Sequence, residues 1–118
     1  MRFLILITLL FSFAALANVK GEGFIITITD QRIGVISPAV KKNLYSVIVE
    51  NKSLSEQVGK FVLGDKILKF ISLPSGKSGV VEIENKSKDD IFYVPVSPAS
   101  QEVPLIFGKK AYEIPPKE

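Results

Sequence analysis

The chain has 118 residues, contains no cysteine and no histidine, and carries a formal net charge of +3. It therefore lacks the usual soft metal ligands, thiol chemistry and the usual proton carrier at neutral pH. Its charges of both signs are scattered along the chain, a pattern that does not predict nucleic-acid binding. We expect no metal, no cofactor and no nucleic-acid partner.

Residues 1–17 have the organisation of a cleavable signal helix. Arg2 gives a positive start, Phe3–Ala14 is an apolar run, and Ala15-Leu16-Ala17 fits the small-residue cleavage rule. A permanent membrane helix needs about 20 apolar residues, so we expect no stable membrane anchor after processing. The alternative is an uncleaved anchor. The signal predicts a periplasmic or secreted protein in which residues 18–118 form a single domain.

Beyond the signal, apolar residues recur with a period of two and are rich in Val, Ile, Phe and Tyr, which predicts β-strands. About seven to nine short strands separated by turn signals predict an all-β, immunoglobulin-like two-sheet β-sandwich. In chain order the expected strands are Phe24–Thr29, Arg32–Ile36, Tyr45–Glu50, Lys60–Leu63, Lys66–Ile71, Val81–Glu84, Ile91–Val94, Val103–Phe107 and Tyr112–Ile114.

Local features refine these strands. Ile91–Val94 is apolar on both faces, which predicts a central strand that is covered on both sides and ends at Pro95. Pro104 marks Val103–Phe107 as an edge strand. The tetrapeptide Glu-Asn-Lys-Ser follows two alternating strands, at Glu50–Ser53 and Glu84–Ser87, and we interpret it as one turn solution used twice.

Candidate catalytic patterns favour surface and turn roles. Gly76-Lys77-Ser78 resembles the end of a phosphate-binding loop, but Ile71 stands where that loop needs its first glycine. Glu82 and Glu84 share a strand face that alternates with buried residues, so we interpret them as a solvated surface rather than an acid/base pair. No serine and lysine pair stands out as a nucleophilic site. We expect a protein that is not an enzyme.

The strand Val103–Phe107, near the end of the chain, is the main candidate for binding. Val103, Leu105 and Phe107 project from one face, and an edge strand offers backbone groups to a partner. The alternative is that the three side chains complete the core of the domain itself. The two roles are compatible on opposite sides of one strand.

Four features follow one another along the chain: an arginine after a first strand, a strand that ends in Asn, a proline-glycine turn and a Phe-Tyr strand. These features lie in Gln31–Val35, Tyr45–Asn51, Leu73–Ser78, Val80–Ile83 and Asp90–Pro95. Their order resembles the amino-terminal immunoglobulin-like domain of PapD-like periplasmic pilus chaperones. In that family an arginine and a lysine hold the carboxyl terminus of a pilus subunit while an alternating apolar strand completes its fold. By position, the resemblance implies Arg32 for the arginine, Lys109 or Lys110 for the lysine, and Val103, Leu105 and Phe107 for the strand.

The chain also resembles cupredoxins. The resemblance lies in the order of an Asn-terminated strand, a Phe strand, a glycine turn and a late tyrosine strand. Copper sites of that type need histidine and cysteine ligands. Pro95 occupies the position after Tyr93-Val94 where a ligand cysteine would be expected. This resemblance therefore implies a copper-free version. We expect an exported protein-binding module for an envelope or surface protein, chaperone-like or accessory to envelope or pilus assembly through edge-strand pairing. The alternative is a generic adhesion or envelope-binding domain, immunoglobulin-like or copper-free cupredoxin-like, without strand exchange.

Overall fold

The computed structural model describes residues 23–114, and the predicted signal at residues 1–17 lies outside them. The described residues form nine strands and no helix. The strands are β1 (Phe24–Ile28), β2 (Ile33–Ile36), β3 (Leu44–Asn51), β4 (Gln57–Leu63), β5 (Lys66–Leu73), β6 (Ser78–Glu84), β7 (Ile91–Ser97), β8 (Val103–Leu105) and β9 (Ala111–Ile114).

The strands build two stacked sheets. The five-stranded sheet has the order β6-β3-β1-β2-β9, and the four-stranded sheet has the order β5-β4-β7-β8. All neighbouring strands are antiparallel except β1 and β3, which are parallel. The predicted all-β two-sheet sandwich is confirmed and is compatible with an immunoglobulin-like fold. The parallel pair differs from the antiparallel plan of an immunoglobulin constant domain.

Strand alternation places one set of side chains in the space between the sheets. In β1, Phe24, Ile26 and Ile28 are buried. From the opposite sheet, Phe61 and Tyr93 are buried against each other with ring centroids 5.1 Å apart. Large buried rings contribute most to the energetics of such a core, and the domain contains no disulfide because the chain contains no cysteine.

The main difference from the predicted strands is in β7, which continues through Pro95 to Ser97. Proline is excluded from the middle of a sheet because it lacks a ladder hydrogen bond. Here β8 pairs only with the first part of β7, from Ile91 to Tyr93, so β7 is an edge strand at Pro95. The pairing of β7 with β4 also contains a bulge next to Gly59, which Pro95 faces.

The two Glu-Asn-Lys-Ser segments adopt the same turn, as predicted. The side-chain oxygen of Asn51 accepts hydrogen bonds from the Ser53 amide and hydroxyl at 3.0 and 2.6 Å. That of Asn85 accepts from the Ser87 amide and hydroxyl at 3.0 and 2.8 Å. In both turns the asparagine amide donates to the carbonyl four residues later at 2.9 Å. Such asparagine turns replace backbone pairing where a strand ends.

Candidate functional site

Arg32 lies immediately before β2 and is exposed to solvent. Its guanidinium donates to the Glu113 carboxylate at 2.9 Å, and the two side chains are 53% and 58% exposed. Exposed ion pairs contribute little stability, about 0–1 kcal/mol. The predicted carboxylate-binding arginine therefore already contacts a carboxylate of its own chain, in a weak and exchangeable pair.

The structure does not bring Arg32 together with Lys109 or Lys110. In the β2–β9 pairing, Ile33 faces Ile114 and Ile36 faces Ala111. Arg32 precedes the first of these pairs and Lys110 precedes the last, so the two residues lie about 17 Å apart along the strands at about 3.4 Å per residue. The arginine and lysine clamp implied by the PapD-like resemblance is therefore not formed in this arrangement.

The two lysines have local contacts at this end of the molecule. The Lys109 ammonium lies 4.9 Å from the centre of the Tyr112 ring, a cation–π distance. Lys110 has a positive φ of 69°, and its carbonyl accepts a hydrogen bond from the Ser37 amide at 2.6 Å. Both contacts fix the turn that leads into β9.

The apolar side chains of the predicted strand Val103–Phe107 complete the core. Val103 and Leu105 are 0% and 1% exposed. Phe107, just beyond β8, packs edge-to-face on Phe24 at 4.9 Å and on Tyr45 at 5.1 Å between ring centroids. The structure therefore places these three side chains between the sheets, which leaves the backbone of β8 as the part that faces outward.

The outward backbone of β8 is bonded within the domain. The Tyr112 hydroxyl donates to the Pro104 carbonyl at 2.5 Å and accepts from the Ile106 amide at 3.0 Å. Tyr112 belongs to β9, the last strand of the other sheet, so one side chain joins the two sheets along this side of the sandwich. We call this side, formed by β8, β9 and Phe107, the closed seam. A partner strand that paired here would first have to displace Tyr112.

The exposed face of the four-stranded sheet is apolar, a property that residue-by-residue reading missed. One row across the sheet, set by strand register, consists of Ile67, Val62, Phe92 and Pro104. None of these is fully buried, and Ile67 is 47% exposed. Residues 23–114 form only two layers, so no third layer of the described chain covers this face.

The next row on this face continues the apolar surface. Phe70 and Val94 lie on either side of Lys60. Phe70 is 63% exposed. We call these two rows the outer face. An antiparallel sheet usually alternates apolar and polar residues when one side is solvated, so this departure makes the outer face a candidate binding surface.

On the side of the sandwich opposite the closed seam, the side-chain amide of Asn51 on β3 donates to the Leu73 carbonyl at the end of β5 at 2.8 Å and joins the two sheets at that end. There β5 and β6 are the last strands of their sheets. A shallow groove of about 570 Å³ runs between them, lined by Lys69–Leu73 and Gly79–Glu82.

A cleft of about 230 Å³ lies at one end of the sandwich and includes Asp30 and Arg32. The Asp30 carboxylate accepts a hydrogen bond from the Leu54 amide at 3.0 Å, which orders the loop beside it. Glu82 and Glu84 are exposed, as expected for a solvated strand face. Within residues 23–114 no three histidine, cysteine, aspartate or glutamate side chains are grouped so that they could hold a metal ion. The same part of the chain has no helix that is long and apolar enough to cross a membrane.

Comparisons of the chain with protein-family models, with curated proteins and with solved structures find no match.

Proposed function

We propose that the protein is an exported, non-enzymatic protein-binding module and that its partner docks on the outer face of the four-stranded sheet. The observation that carries the proposal is the uncovered row of Ile67, Val62, Phe92 and Pro104. Burying apolar area contributes about 25 cal/mol per Å². A partner surface that covers this face therefore supplies the layer that the described domain lacks.

The chemistry of the outer face defines the partner. Lys60 is the charged residue of the outer face and lies between Phe70 and Val94. A basic group within an apolar surface favours a partner that is apolar and carries acidic residues, because opposite charges steer association and fix its register. An envelope protein with an apolar patch and an adjacent carboxylate meets this description.

The position of Tyr112 argues against strand exchange at β8. The outward groups of Pro104 and Ile106 are hydrogen-bonded to its hydroxyl, and Arg32 is far from Lys110 along the β2–β9 pair. For the finer classification we therefore propose a generic envelope-binding sandwich, immunoglobulin-like or copper-free cupredoxin-like, in preference to a PapD-like chaperone.

Affinity capture of the full tagged chain from its source cells, with quantitative mass spectrometry, tests this proposal. Val94→Asp places a charge on the outer face and is expected to lower recovery of the main partner about tenfold, which corresponds to about 1.4 kcal/mol. Thr27→Asp is the matched control, because Thr27 is also half-buried on the outward side of a central strand, in the other sheet, and its cross-strand neighbours there are Gly34 and Glu50 rather than apolar residues. Arg32→Ala is expected to leave recovery unchanged.

Thermal unfolding of both aspartate variants controls for loss of folding. Equal recovery with Val94→Asp and the wild type, or equal loss with Val94→Asp and Thr27→Asp, would contradict docking on the outer face. Loss of recovery with Arg32→Ala would favour carboxylate capture by a chaperone-like site instead.

A further inference from the structure

The cleft that includes Asp30 and Arg32 lies at one end of the sandwich, away from the outer face, and we call it the end cleft. Its volume is about 230 Å³. Pockets for drug-sized ligands enclose about 300–1,000 Å³, so the end cleft has room for a smaller molecule or for a single side chain of a partner. Its apolar wall combines side chains of both sheets with the segment after β7: Ile28, Ile33, Pro95, Pro98 and Ala99.

Gln57, at the start of β4, lines the end cleft and is 8% exposed. Its amide nitrogen donates to the Ser53 hydroxyl at 3.0 Å. The Ser53 hydroxyl lies 2.6 Å from the Asn51 side-chain oxygen and gives its hydrogen to that oxygen, so it accepts from Gln57. This chain of hydrogen bonds fixes the Gln57 amide with its nitrogen toward Ser53 and its oxygen on the other side.

The oxygen of the Gln57 amide accepts no hydrogen bond from residues 23–114. Every fully buried side-chain nitrogen or oxygen in this part of the chain has a hydrogen-bond partner. The Gln57 oxygen is therefore accessible although the residue as a whole is buried, and the space that Gln57 lines is the end cleft. It is an acceptor that a ligand in the cleft would satisfy.

Asp30 supplies a charged acceptor to the same cleft. Its carboxylate accepts from the Leu54 amide at 3.0 Å, and no described lysine or arginine forms an ion pair with it. The turn that carries Asp30 is closed by Thr29, whose amide and hydroxyl both donate to the Arg32 carbonyl at 3.0 Å. The carboxylate is therefore held in place before a ligand arrives, which lowers the entropic cost of binding.

Arg32 is the other charged residue of the end cleft, and its charge is already matched. Its guanidinium donates to the Glu113 carboxylate at 2.9 Å. The remaining charge of the cleft is therefore the negative charge of Asp30. Two hydroxyl side chains, Ser55 and Ser100, also line the cleft. This combination favours a ligand that is positively charged and donates hydrogen bonds.

We propose that the end cleft binds a protonated primary amine carried on a short apolar chain. An ammonium group has three donors and no acceptor, which matches a carboxylate, an amide oxygen and hydroxyls. The alkyl part lies against Ile28 and Ile33, as the stems of long cationic side chains lie along apolar surfaces. A free alkylamine, a lysine side chain and the amino terminus of a chain all offer this group. The inference concerns a different site from the proposed function and does not rest on it.

Titration of the full chain with n-pentylamine, followed by the amide chemical shifts of the protein, tests the proposal. A ligand of this size is expected to bind with a dissociation constant of about 1 mM and to shift the amides of Asp30 and Gln57. The controls n-pentanol and pentanoate have the same chain length but are neutral and negatively charged. They are expected to bind at least about tenfold more weakly, because charge-assisted hydrogen bonds are the stronger ones.

Asp30→Asn removes the charge and keeps an oxygen that accepts from the Leu54 amide. It is expected to weaken binding of n-pentylamine about tenfold. Asp65→Asn is the matched control, because Asp65 is also an exposed aspartate and lies in the turn between β4 and β5, outside the cleft. Equal effects of the two substitutions, equal affinity for n-pentylamine and n-pentanol, or shifts that do not saturate would overturn the proposal.

Two further probes identify the source of the amine. Nα-acetyl-lysine amide carries a side-chain ammonium, and leucine amide carries an α-ammonium like that of a chain terminus. Tighter binding of the first assigns the cleft to a lysine of a partner, and tighter binding of the second assigns it to an amino terminus. Binding of n-pentylamine alone assigns it to a free amine, and failure of all three amines to bind would overturn the proposal.

Discussion

Replacing Asn51 by alanine is expected to be far more damaging than the same change at Asn85, although both residues occupy the same kind of turn. Both side chains bond the backbone and hydroxyl of the serine two residues later. Asn51 also donates to the Leu73 carbonyl at 2.8 Å, which ties the end of β3 to the end of β5 in the other sheet. Asn51 is 1% exposed and Asn85 is 5% exposed.

The magnitude follows from the hydrogen bonds that are lost. Asn51 makes four of them and Asn85 makes three. A typical bond contributes about 1 kcal/mol net, and a buried group left without a partner costs about 1–3 kcal/mol. We expect Asn85→Ala to lower the free energy of unfolding by about 2 kcal/mol and Asn51→Ala by about 4 kcal/mol. The difference arises mainly at the Leu73 carbonyl.

Urea denaturation of the full chain, followed by far-ultraviolet circular dichroism, measures both variants. The slope of the unfolding free energy against urea should be unchanged, because the surface exposed on unfolding is the same. The two variants should also differ in melting temperature by at least about 4 °C. Variants that agree within about 0.5 kcal/mol would refute the special role of the link to Leu73.

Three further changes test the packing. Gly59→Ala would force a methyl group into the buried Tyr93 ring and should lower the free energy of unfolding, measured by chemical denaturation, by about 2–3 kcal/mol. Gly34→Ala has open space around it and should be neutral or slightly stabilising. Equal effects of the two substitutions would contradict this packing. Tyr112→Phe should lower stability by about 1–2 kcal/mol and speed amide exchange at the β8 edge; unchanged exchange would contradict the closed seam. Burial raises the pKa of Tyr45 and of Tyr93 to about 12, above the unfolded value of about 10. The folded state therefore holds these protons more tightly, and stability should be full below pH 10 and fall as the pH rises from about 10 to 12; a flat profile in a pH titration of unfolding would contradict buried tyrosines.

Alternation along single strands is enough to predict much of the core. Phe24, Ile26 and Ile28 alternate with more polar positions and are buried as expected. The paired turns after β3 and β6 were also predictable, because asparagine and serine at that spacing bond their own backbone. These features depend on neighbours within a few residues.

The candidate surfaces depend on register and on distant partners, which local patterns do not contain. Ile91–Val94 is apolar on both faces, and this predicted a covered strand. In the structure β7 is central, but Phe92 and Val94 are only partly buried. The β4–β7 register places Phe92 beside Val62 and Val94 beside Lys60 on one face of the sheet. The hydrogen bond of Tyr112 to the β8 backbone links two sheets and has no signature in either segment alone.

Photo-crosslinking tests the central claim, binding at the outer face, most directly. A benzoylphenylalanine replaces Phe92 on the outer face in one full-length variant and Thr27 on the other sheet in a second, and both are irradiated in the source cells. The account predicts a discrete adduct with another protein from position 92 and none from position 27. Adducts of equal yield from the two positions, or no protein adduct from position 92, would contradict it.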